Sequence, residues 1–195
     1  MDSSLFRSIN RLAIRTGWAH GVMRFYADSG IVLFAVLLVV GYLVARRNRN
    51  VGGVAATVWA GGAALVALGI AQIVGGAVNR ARPYAALPNV QVLIARTTDF
   101  SFPSDHATTV GAVAVGLVFV NRRLGTVAIV AALAMAFARV YAGAHYPLDV
   151  IAGLTLGGAV AAIGYRVLVP LLTRLGAQLA TSRLAPLVSA RPATR

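Results

Sequence analysis

Residues 51–78 read VGGVAATVWAGGAALVALGIAQIVGGAV, and this run contains no charged residue. A helix needs about 20 consecutive apolar residues to cross the hydrocarbon core of a bilayer, so the run is long enough to span it. Its glycine and alanine residues allow neighbouring helices to approach closely, as they do inside membrane proteins. The segment therefore predicts a membrane-spanning helix that packs closely against others.

Four more apolar runs and an amphipathic segment complete the pattern. The apolar runs lie at 30–45, 104–120, 125–138 and 150–172. Within residues 5–27, arginines alternate with apolar residues at helical spacing, which predicts a helix in the membrane interface or, if it is packed against partners, a short span. We expect an all-α, polytopic membrane helical bundle of about six helices: five clear spans plus this N-terminal helix.

The bundle is expected to form a single domain over residues 1–172. The segment 173–195 contains four arginines and two prolines. Such a segment at a chain terminus is expected to be a poorly ordered, basic cytoplasmic tail.

The composition favours a membrane protein and argues against nucleic-acid binding. Hydrophobic residues make up 58% of the chain and the mean hydropathy is +0.77, well above soluble globular domains. The formal net charge of +13 comes from 18 arginines and five aspartates, but no basic domain stands apart from the apolar segments. The absence of cysteine excludes disulfides, thiolate metal sites and cysteine nucleophiles.

Arginine clusters between the apolar runs predict the orientation of the chain. The clusters at 46–49 and 122–123 fall on the same side as the tail if each run crosses once, and the positive-inside rule makes that side cytoplasmic. The connections 79–103 and 139–149 then share the outer face. The first of these is basic although it is external, so its arginines need another role, and anion binding is the obvious one.

Three short stretches place polar residues at this outer face. They read NRARP at 79–83, SFPSDH at 101–106 and RVYAGAHYPLD at 139–149. Ionisable residues are costly at membrane depth and are usually functional where they occur. The three stretches are therefore the candidate active site.

The last stretch has the pattern of a histidine nucleophile with an orienting carboxylate. Pro147 suits the first position of a helix, and Asp149 then lies in its first turn, where the helix dipole favours a carboxylate. Asp149 can reach back to one ring nitrogen of His145, which fixes the tautomer and leaves the other nitrogen free to attack.

The middle stretch predicts a helix start at which a phosphate can bind. Ser104 is a natural N-cap and Asp105 lies in the first turn. His106, on the same turn, can donate a proton to the leaving oxygen, while Arg82 and Arg139 clamp the non-bridging oxygens.

Other interpretations of these residues stay open. Arg80 is a further candidate phosphate ligand, or it only snorkels towards the interface; Asp105 is placed in the phosphate-binding group, or it only caps its helix. Either histidine could be structural. A metal site of His106, His145 and Asp149 is conceivable, but the arginines favour an anion over a cation. A transporter is disfavoured because paired broken helices at the midplane are missing.

The joint pattern resembles a known family. Arg82-Pro83, Pro103-Ser104-Asp105-His106 and Arg139-x5-His145-x3-Asp149 are similar to the three signature motifs of the type 2 phosphatidic acid phosphatase superfamily. The resemblance implies a six-helix membrane core with an extracytoplasmic active site. It implies that His145 forms a phosphohistidine, with Asp149 as its partner and His106 as the acid, and that no metal or cofactor is needed. It also implies that Arg82, Ser104 and Arg139 bind phosphate.

Finer resemblance points to one branch. The phrases SFPSDHA and GAHYPLDV look like bacterial undecaprenyl-diphosphatases of the bacitracin-resistance type, which convert a C55 polyprenyl diphosphate in the plasma membrane to the monophosphate. Two positions depart from the family pattern: Gly75 stands where a lysine is usual, and Ala138 where a serine is usual. The expected function is hydrolysis of a lipid diphosphate. The alternatives are phosphatidylglycerophosphate, phosphatidic acid or another prenyl phosphate as substrate, or an impaired protein that only binds lipid.

Overall fold

The computed structural model describes residues 2–182 and 184–188, and it is helical throughout apart from turns and one long connection. Ten α-helices are described: α1 (Asp2–Arg15), α2 (His20–Ser29), α3 (Ile31–Arg47), α4 (Val51–Val78), α5 (Pro83–Ala86), α6 (Asp105–Val120), α7 (Arg122–Tyr141), α8 (Pro147–Val167), α9 (Val169–Ala180) and α10 (Ala185–Val188). A 3-10 turn, Gly17–Ala19, joins α1 to α2. The described residues include no strand, which confirms the all-α prediction.

The helices fall on the predicted apolar runs, but not all of them are long enough to span a bilayer by themselves. By length and composition, α4 continued by α5, α7 and α8 could each cross a membrane. The pair α2–α3, including the 3-10 turn before α2, passes the same test only together and is bent by 55°. The apolar α6 has 16 residues, about 24 Å at the rise of an α-helix. Two of the five predicted runs, α3 with 17 residues and α6 with 16, therefore have the predicted length but are shorter than the span of about 20 residues that a bilayer requires.

α6 lies at the centre of the bundle and packs against α3, α4, α7 and α8. Glycines make these contacts close. A Cβ added at Gly116 of α6 would lie 2.5 Å from the Cβ of Ala60 in α4, and one at Gly157 of α8 would lie 2.0 Å from the carbonyl oxygen of Thr108. Helix backbones therefore touch where side chains would normally separate them.

The starts of α6 and α8 lie side by side because the same close packing continues to the end of the bundle. The amide of Ser104 donates to the carbonyl of Asp149 over 3.0 Å. Gly153, one turn into α8, faces the carbonyl oxygen of Ser104, and a Cβ there would approach it to 2.7 Å. Two helix N-termini that carry motif residues are thus held together by main-chain contacts.

Residues 5–27 are divided between α1, the 3-10 turn and α2. α1 is amphipathic as predicted. Its buried face contains Phe6, Asn10 and Ala13, and it packs against α7 and α8. With 14 residues, α1 is shorter than the span of about 20 that a bilayer requires.

The chain beyond residue 172, which the sequence analysis assigns to a tail, includes the end of α9 and a further short helix among its described residues. α9 continues to Ala180 and α10 follows at Ala185–Val188. α10 is tied to α3, because Tyr42 donates to the carbonyl of Leu187 and Arg46 donates to that of Pro186. The rest of the predicted tail, residues 183 and 189–195, lies outside the described residues.

Candidate active site

A cavity of about 280 Å³ opens at the end of the bundle where α4 and α7 end and α6 and α8 begin. Its wall carries two arginines, two histidines and three aspartates. The lining residues are Asp28, Arg82, Ile94, Ala95, Thr97, Asp99, Asp105, His106, Arg139 and His145. The cavity therefore gathers residues from all three of the polar stretches.

His145 lies at the bottom of the cavity and is 1% exposed. Its Nδ1 is 2.8 Å from the carbonyl oxygen of Ser101, and because a carbonyl only accepts hydrogen bonds, Nδ1 carries the proton. Nε2 then has the free lone pair. It lies 3.3 Å from Nη1 of Arg82 and 3.4 Å from Nη2 of Arg139.

Burial keeps the His145 ring neutral. Desolvation, and then the positive charges of Arg139 and Arg82, lower the pKa of His145 well below its usual 6.5, although the hydrogen bond to Ser101 acts in the opposite direction. A neutral imidazole with its lone pair facing two guanidinium groups is a nucleophile prepared for an electrophile that carries negative charge.

Asp149 supports the histidine through Ser101 rather than by the direct hydrogen bond expected from the sequence. Its Oδ2 is 3.9 Å from Nδ1 of His145, too far for a hydrogen bond, because the Ser101 carbonyl occupies that nitrogen. Instead Oδ2 accepts from the Ser101 hydroxyl at 2.6 Å and from the Tyr146 amide at 2.8 Å. Ser101 is thus a site residue that the sequence interpretation missed.

Arg82 is held extended by the proline that follows it, with ψ at 153°. Its Nη1 donates to the carbonyl of Ala144 at 3.2 Å. Nε and Nη2 donate to the two carboxylate oxygens of Asp99 at 3.1 and 3.0 Å. Partial burial raises the pKa of Asp99, but hydrogen bonds from Thr97 and Arg82 and the Arg82 charge outweigh it, so the pKa is lowered and Asp99 stays ionised.

Arg139 is buried at the end of α7, with Nη1 donating to the carbonyl of Ala27 at 3.1 Å. Its Nε is the one buried side-chain nitrogen or oxygen in the described part of the chain that has no hydrogen-bond partner. An unsatisfied buried donor costs about 1–3 kcal/mol, so this atom marks a place where an acceptor is missing.

The remaining predicted site residues differ in their relation to the cavity. His106 is half-buried and lines it. Ser104 is fully buried, and its hydroxyl accepts from the amide of Ala107, as an N-cap does; it does not line the cavity. Asp105 lines it, but its carboxylate accepts a hydrogen bond from Gln72 at 2.9 Å. A carboxylate cannot donate to phosphate when ionised, so its assignment to the phosphate-binding group gains no support.

Arg80 is not part of the cavity wall. Its two terminal nitrogens donate to Asp2 at 2.5 Å and to Asp149 at 2.6 Å, and its guanidinium lies 3.9 Å above the Tyr146 ring. With both ends bound to carboxylates, Arg80 stands behind the nucleophile rather than beside the substrate. The prediction that it binds phosphate is therefore not supported by its position.

The position where the family has a lysine is tightly packed against the loop that contains Phe100 and Phe102. A Cβ at Gly75 would lie 3.2 Å from the carbonyl oxygen of Phe102 and 3.5 Å from the ring of Phe100. Ala138 is buried beside Ala27 and Ala142. Within residues 2–182 and 184–188, no three histidine or carboxylate side chains are close enough to hold a metal ion.

Comparisons with known proteins show which family the chain resembles. The family model of the PAP2 superfamily matches residues 56–171. The undecaprenyl-diphosphatase BcrC of Bacillus subtilis is 28% identical over 156 residues, 80% of this chain and 78% of that protein. The decaprenylphosphoryl-5-phosphoribose phosphatase of Mycobacterium tuberculosis is 35% identical over 166 residues, 84% of each chain.

The fold is also found among solved structures. The crystal structure of Aquifex aeolicus LpxE superposes with a TM-score of 0.59, at 23% identity, over 85% of this chain and 94% of that one. At this level of identity the likeness concerns the fold. It agrees with the apolar helices described above in indicating a multi-pass membrane protein.

Proposed function

The chain belongs to the PAP2 superfamily and is a membrane lipid phosphatase, and from this premise we propose that it hydrolyses a polyprenyl diphosphate to the monophosphate through a phosphohistidine at His145. The main support for the proposal is the set of groups that surround Nε2 of His145. Two guanidinium groups lie within 3.4 Å of it, and the buried Nε of Arg139 lacks an acceptor. A terminal phosphate group supplies three oxygens to these donors and places phosphorus against the lone pair.

The reaction proceeds in two displacements. Nε2 of His145 attacks the terminal phosphorus while the bond from that phosphorus to the bridging oxygen breaks, and His106 donates a proton to the leaving oxygen. Water then attacks the phosphohistidine as His106 takes its proton, and inorganic phosphate is released. Arg82 and Arg139 neutralise the charge on the non-bridging oxygens in both steps. Asp149, acting through Ser101, stabilises the ring as it becomes positive.

Two lines of support favour a polyprenyl diphosphate. The phrases SFPSDHA and GAHYPLDV resemble the bacitracin-resistance branch, and a B. subtilis relative covering most of both chains is an undecaprenyl-diphosphatase. The second candidate is a phosphate monoester on a prenyl-linked sugar, because the M. tuberculosis relative is 35% identical over 84% of both chains.

Phosphate release from purified protein in detergent tests the proposal. Wild type and His145→Ala are compared on undecaprenyl diphosphate, decaprenylphosphoryl-5-phosphoribose, phosphatidylglycerophosphate and phosphatidic acid, with EDTA present. We expect release by wild type alone, fastest on the diphosphate. Faster phosphate release from one of the monoesters would identify that monoester as the preferred substrate. If neither protein releases phosphate from any lipid but both still bind lipid, the chain is a lipid-binding protein and not an enzyme.

We also propose that the cavity faces the extracytoplasmic side of the plasma membrane. Arginines at 46, 47, 49, 122 and 123 lie at the opposite end of the bundle, the end that the positive-inside rule assigns to the cytoplasm. Since the chain has no cysteine, single cysteines at exposed Thr98 and Asn48 can be labelled with an impermeant maleimide in intact cells. We expect labelling at position 98 alone. Labelling at position 48 alone would show that the cavity faces the cytoplasm.

A further inference from the structure

α1 contacts residues that lie behind the candidate active site, although it lies outside the family match at 56–171 and outside all three motifs. Three residues spaced four apart, Asp2, Phe6 and Asn10, fall on one face of the helix. Each of them contacts a segment next to the cavity: Asp2 contacts Arg80 and the start of α8, Phe6 contacts Tyr146, and Asn10 contacts Gln91. This face is therefore an unassigned part of the site's surroundings.

Asp2 makes the contact nearest to the nucleophile. Its Oδ1 accepts from the amide of Leu148 at 3.0 Å, in the first turn of α8. Its Oδ2 accepts from Nη2 of Arg80 at 2.5 Å, and the other terminal nitrogen of Arg80 donates to Asp149 at 2.6 Å. The Asp2 side chain is 13% exposed and that of Arg80 is 27% exposed, so this ion pair is shielded from water more than surface pairs are.

From Asp149 the contacts continue to the ring of His145. Asp149 accepts from the Ser101 hydroxyl at 2.6 Å, and the amide of Ser101 donates to the carbonyl of Arg80 at 2.8 Å. The carbonyl of Ser101 in turn accepts from Nδ1 of His145. Arg80 thus holds Ser101 twice, once through its own main chain and once through Asp149, and Asp2 holds the guanidinium of Arg80 from the far side.

We propose that Asp2 is a positioning residue for the phosphohistidine reaction: through Arg80 and Asp149 it fixes the Ser101 carbonyl that orients His145. The inference rests on the proposed function, because it assigns Asp2 a role in the reaction at His145. The carboxylate at residue 2 neutralises the outer half of Arg80. Without it, the Arg80 guanidinium can turn outward towards water, and Asp149, which holds the Ser101 hydroxyl, loses the hydrogen bond that Arg80 donates to it.

The other two residues of this face dock α1 independently of Asp2. Phe6 is completely buried and its ring lies 5.5 Å from that of Tyr146. Asn10 exchanges two hydrogen bonds with the main chain of Gln91, at 2.8 and 2.9 Å. Loss of the Asp2 carboxylate alone should therefore leave α1 in place, so its effect on the reaction can be measured separately from folding.

The test compares Asp2→Asn and Asp2→Glu with wild type and His145→Ala, with the purification tag at the C-terminal end. Arg11→Gln is the matched control, since Arg11 is exposed on another face of α1 and its side chain contacts Ser8. We expect Asp2→Asn to lower kcat about tenfold, less than the roughly hundredfold that a displacement of 1 Å can cost, because Asp149 keeps its hydrogen bonds from Ser101 and Tyr146. KM and the thermal midpoint should stay near wild type.

The rate of phosphoenzyme formation in a single turnover should fall by the same factor. Asp2→Glu, which can still pair with Arg80, should recover most of the rate, and Arg11→Gln should match wild type.

Four outcomes distinguish the two proposals. If wild type forms no phosphoenzyme and releases no phosphate, the proposed function fails. If wild type is active and Asp2→Asn keeps its kcat, the positioning role is wrong. If Asp2→Asn and Asp2→Glu lose activity only in proportion to the folded protein recovered, Asp2 is merely structural and the inference is overturned. If Asp2→Asn does not fold, the test rests on Asp2→Glu, which keeps a carboxylate. An Asp2→Glu enzyme that is stable but slow would then contradict the role assigned to the carboxylate.

Discussion

Replacing Asp99 with asparagine tests whether Arg82 is already occupied before substrate arrives. The two carboxylate oxygens of Asp99 accept from Nε and Nη2 of Arg82, the same edge that a phosphate engages with two oxygens. Asp99 therefore stands where a substrate oxygen is expected to bind Arg82. Phosphate binding must displace it, and asparagine, which has one acceptor oxygen and no charge, should compete less.

The size of the effect follows from the exposure of the pair. The Asp99 side chain is 55% exposed and that of Arg82 is 8% exposed. Ion pairs that reach solvent contribute about 0.2–1 kcal/mol. Because the acid of this pair is half-exposed, its contribution should not exceed the upper end of that range. A gain of about 1 kcal/mol corresponds to a KM about fivefold lower. kcat should be unchanged, because Asp99 touches neither His145 nor His106 in the described contacts.

Initial rates for wild type and Asp99→Asn, with inorganic phosphate as a competitive inhibitor, measure both constants. Phosphate should inhibit the variant more strongly, and the difference should shrink in high salt, which screens exposed charges. Thr97→Val removes the hydroxyl that donates to Asp99, so it should act in the same direction with a smaller effect. A KM that rises, or a kcat that falls, would show instead that Asp99 orients Arg82 for catalysis.

Three further predictions concern the pH profile, the packing at Gly164 and the position of Gly75, where the family usually has a lysine. The pKa of His145 is lowered well below 6.5, so activity should be lost only as the pH falls through that lowered value, and the acid limb of kcat/KM should lie below pH 6.5. Arg139→Gln removes a positive charge that lowers the pKa of His145, so the acid limb of its residual activity should move to higher pH. An acid limb that does not move would contradict the assignment of His145 as the nucleophile. Gly164→Ala places a Cβ 1.8 Å from the Trp59 ring and should destabilise the fold by at least about 1–3 kcal/mol, seen as a lower unfolding midpoint in detergent; a wild-type midpoint would refute the close contact. Gly75→Lys should not lower KM, because a Cβ at this position already lies 3.2 Å from the carbonyl oxygen of Phe102 and a lysine side chain fits only if the loop shifts. A lower KM in the lipid phosphatase assay would contradict this prediction.

The sequence was sufficient for the helices and for the gathering of the motif residues, because both depend on local patterns. Apolar runs predict helices wherever they occur, and the polar stretches fall at run ends that alternate between the two sides. That is why Arg82, His106 and His145 could be expected at one site. The same local patterns also predicted the start of α6, where Ser104 is the N-cap and the first helical residues, Asp105 and His106, line the cavity.

What the sequence could not predict are contacts made by the main chain or across long separations. The partner of His145 is the carbonyl of Ser101, a group that every residue carries and no motif marks. Arg80 and Arg82 are two residues apart and chemically identical, yet one stands behind the nucleophile and the other beside it. Only the placement of Asp2 and Asp99 in space separates their roles.

The main-chain contacts between α6 and α8 restrict how this chain can change over evolutionary time. An interface built from side chains can accept a larger residue on one helix when a smaller one appears on the other. At Gly153 and Gly157 the opposing atoms are carbonyl oxygens of α6, which no substitution can shorten. Related enzymes should therefore diverge freely at lipid-facing positions and in the connections, so new headgroup preferences should arise there while these two glycines stay fixed.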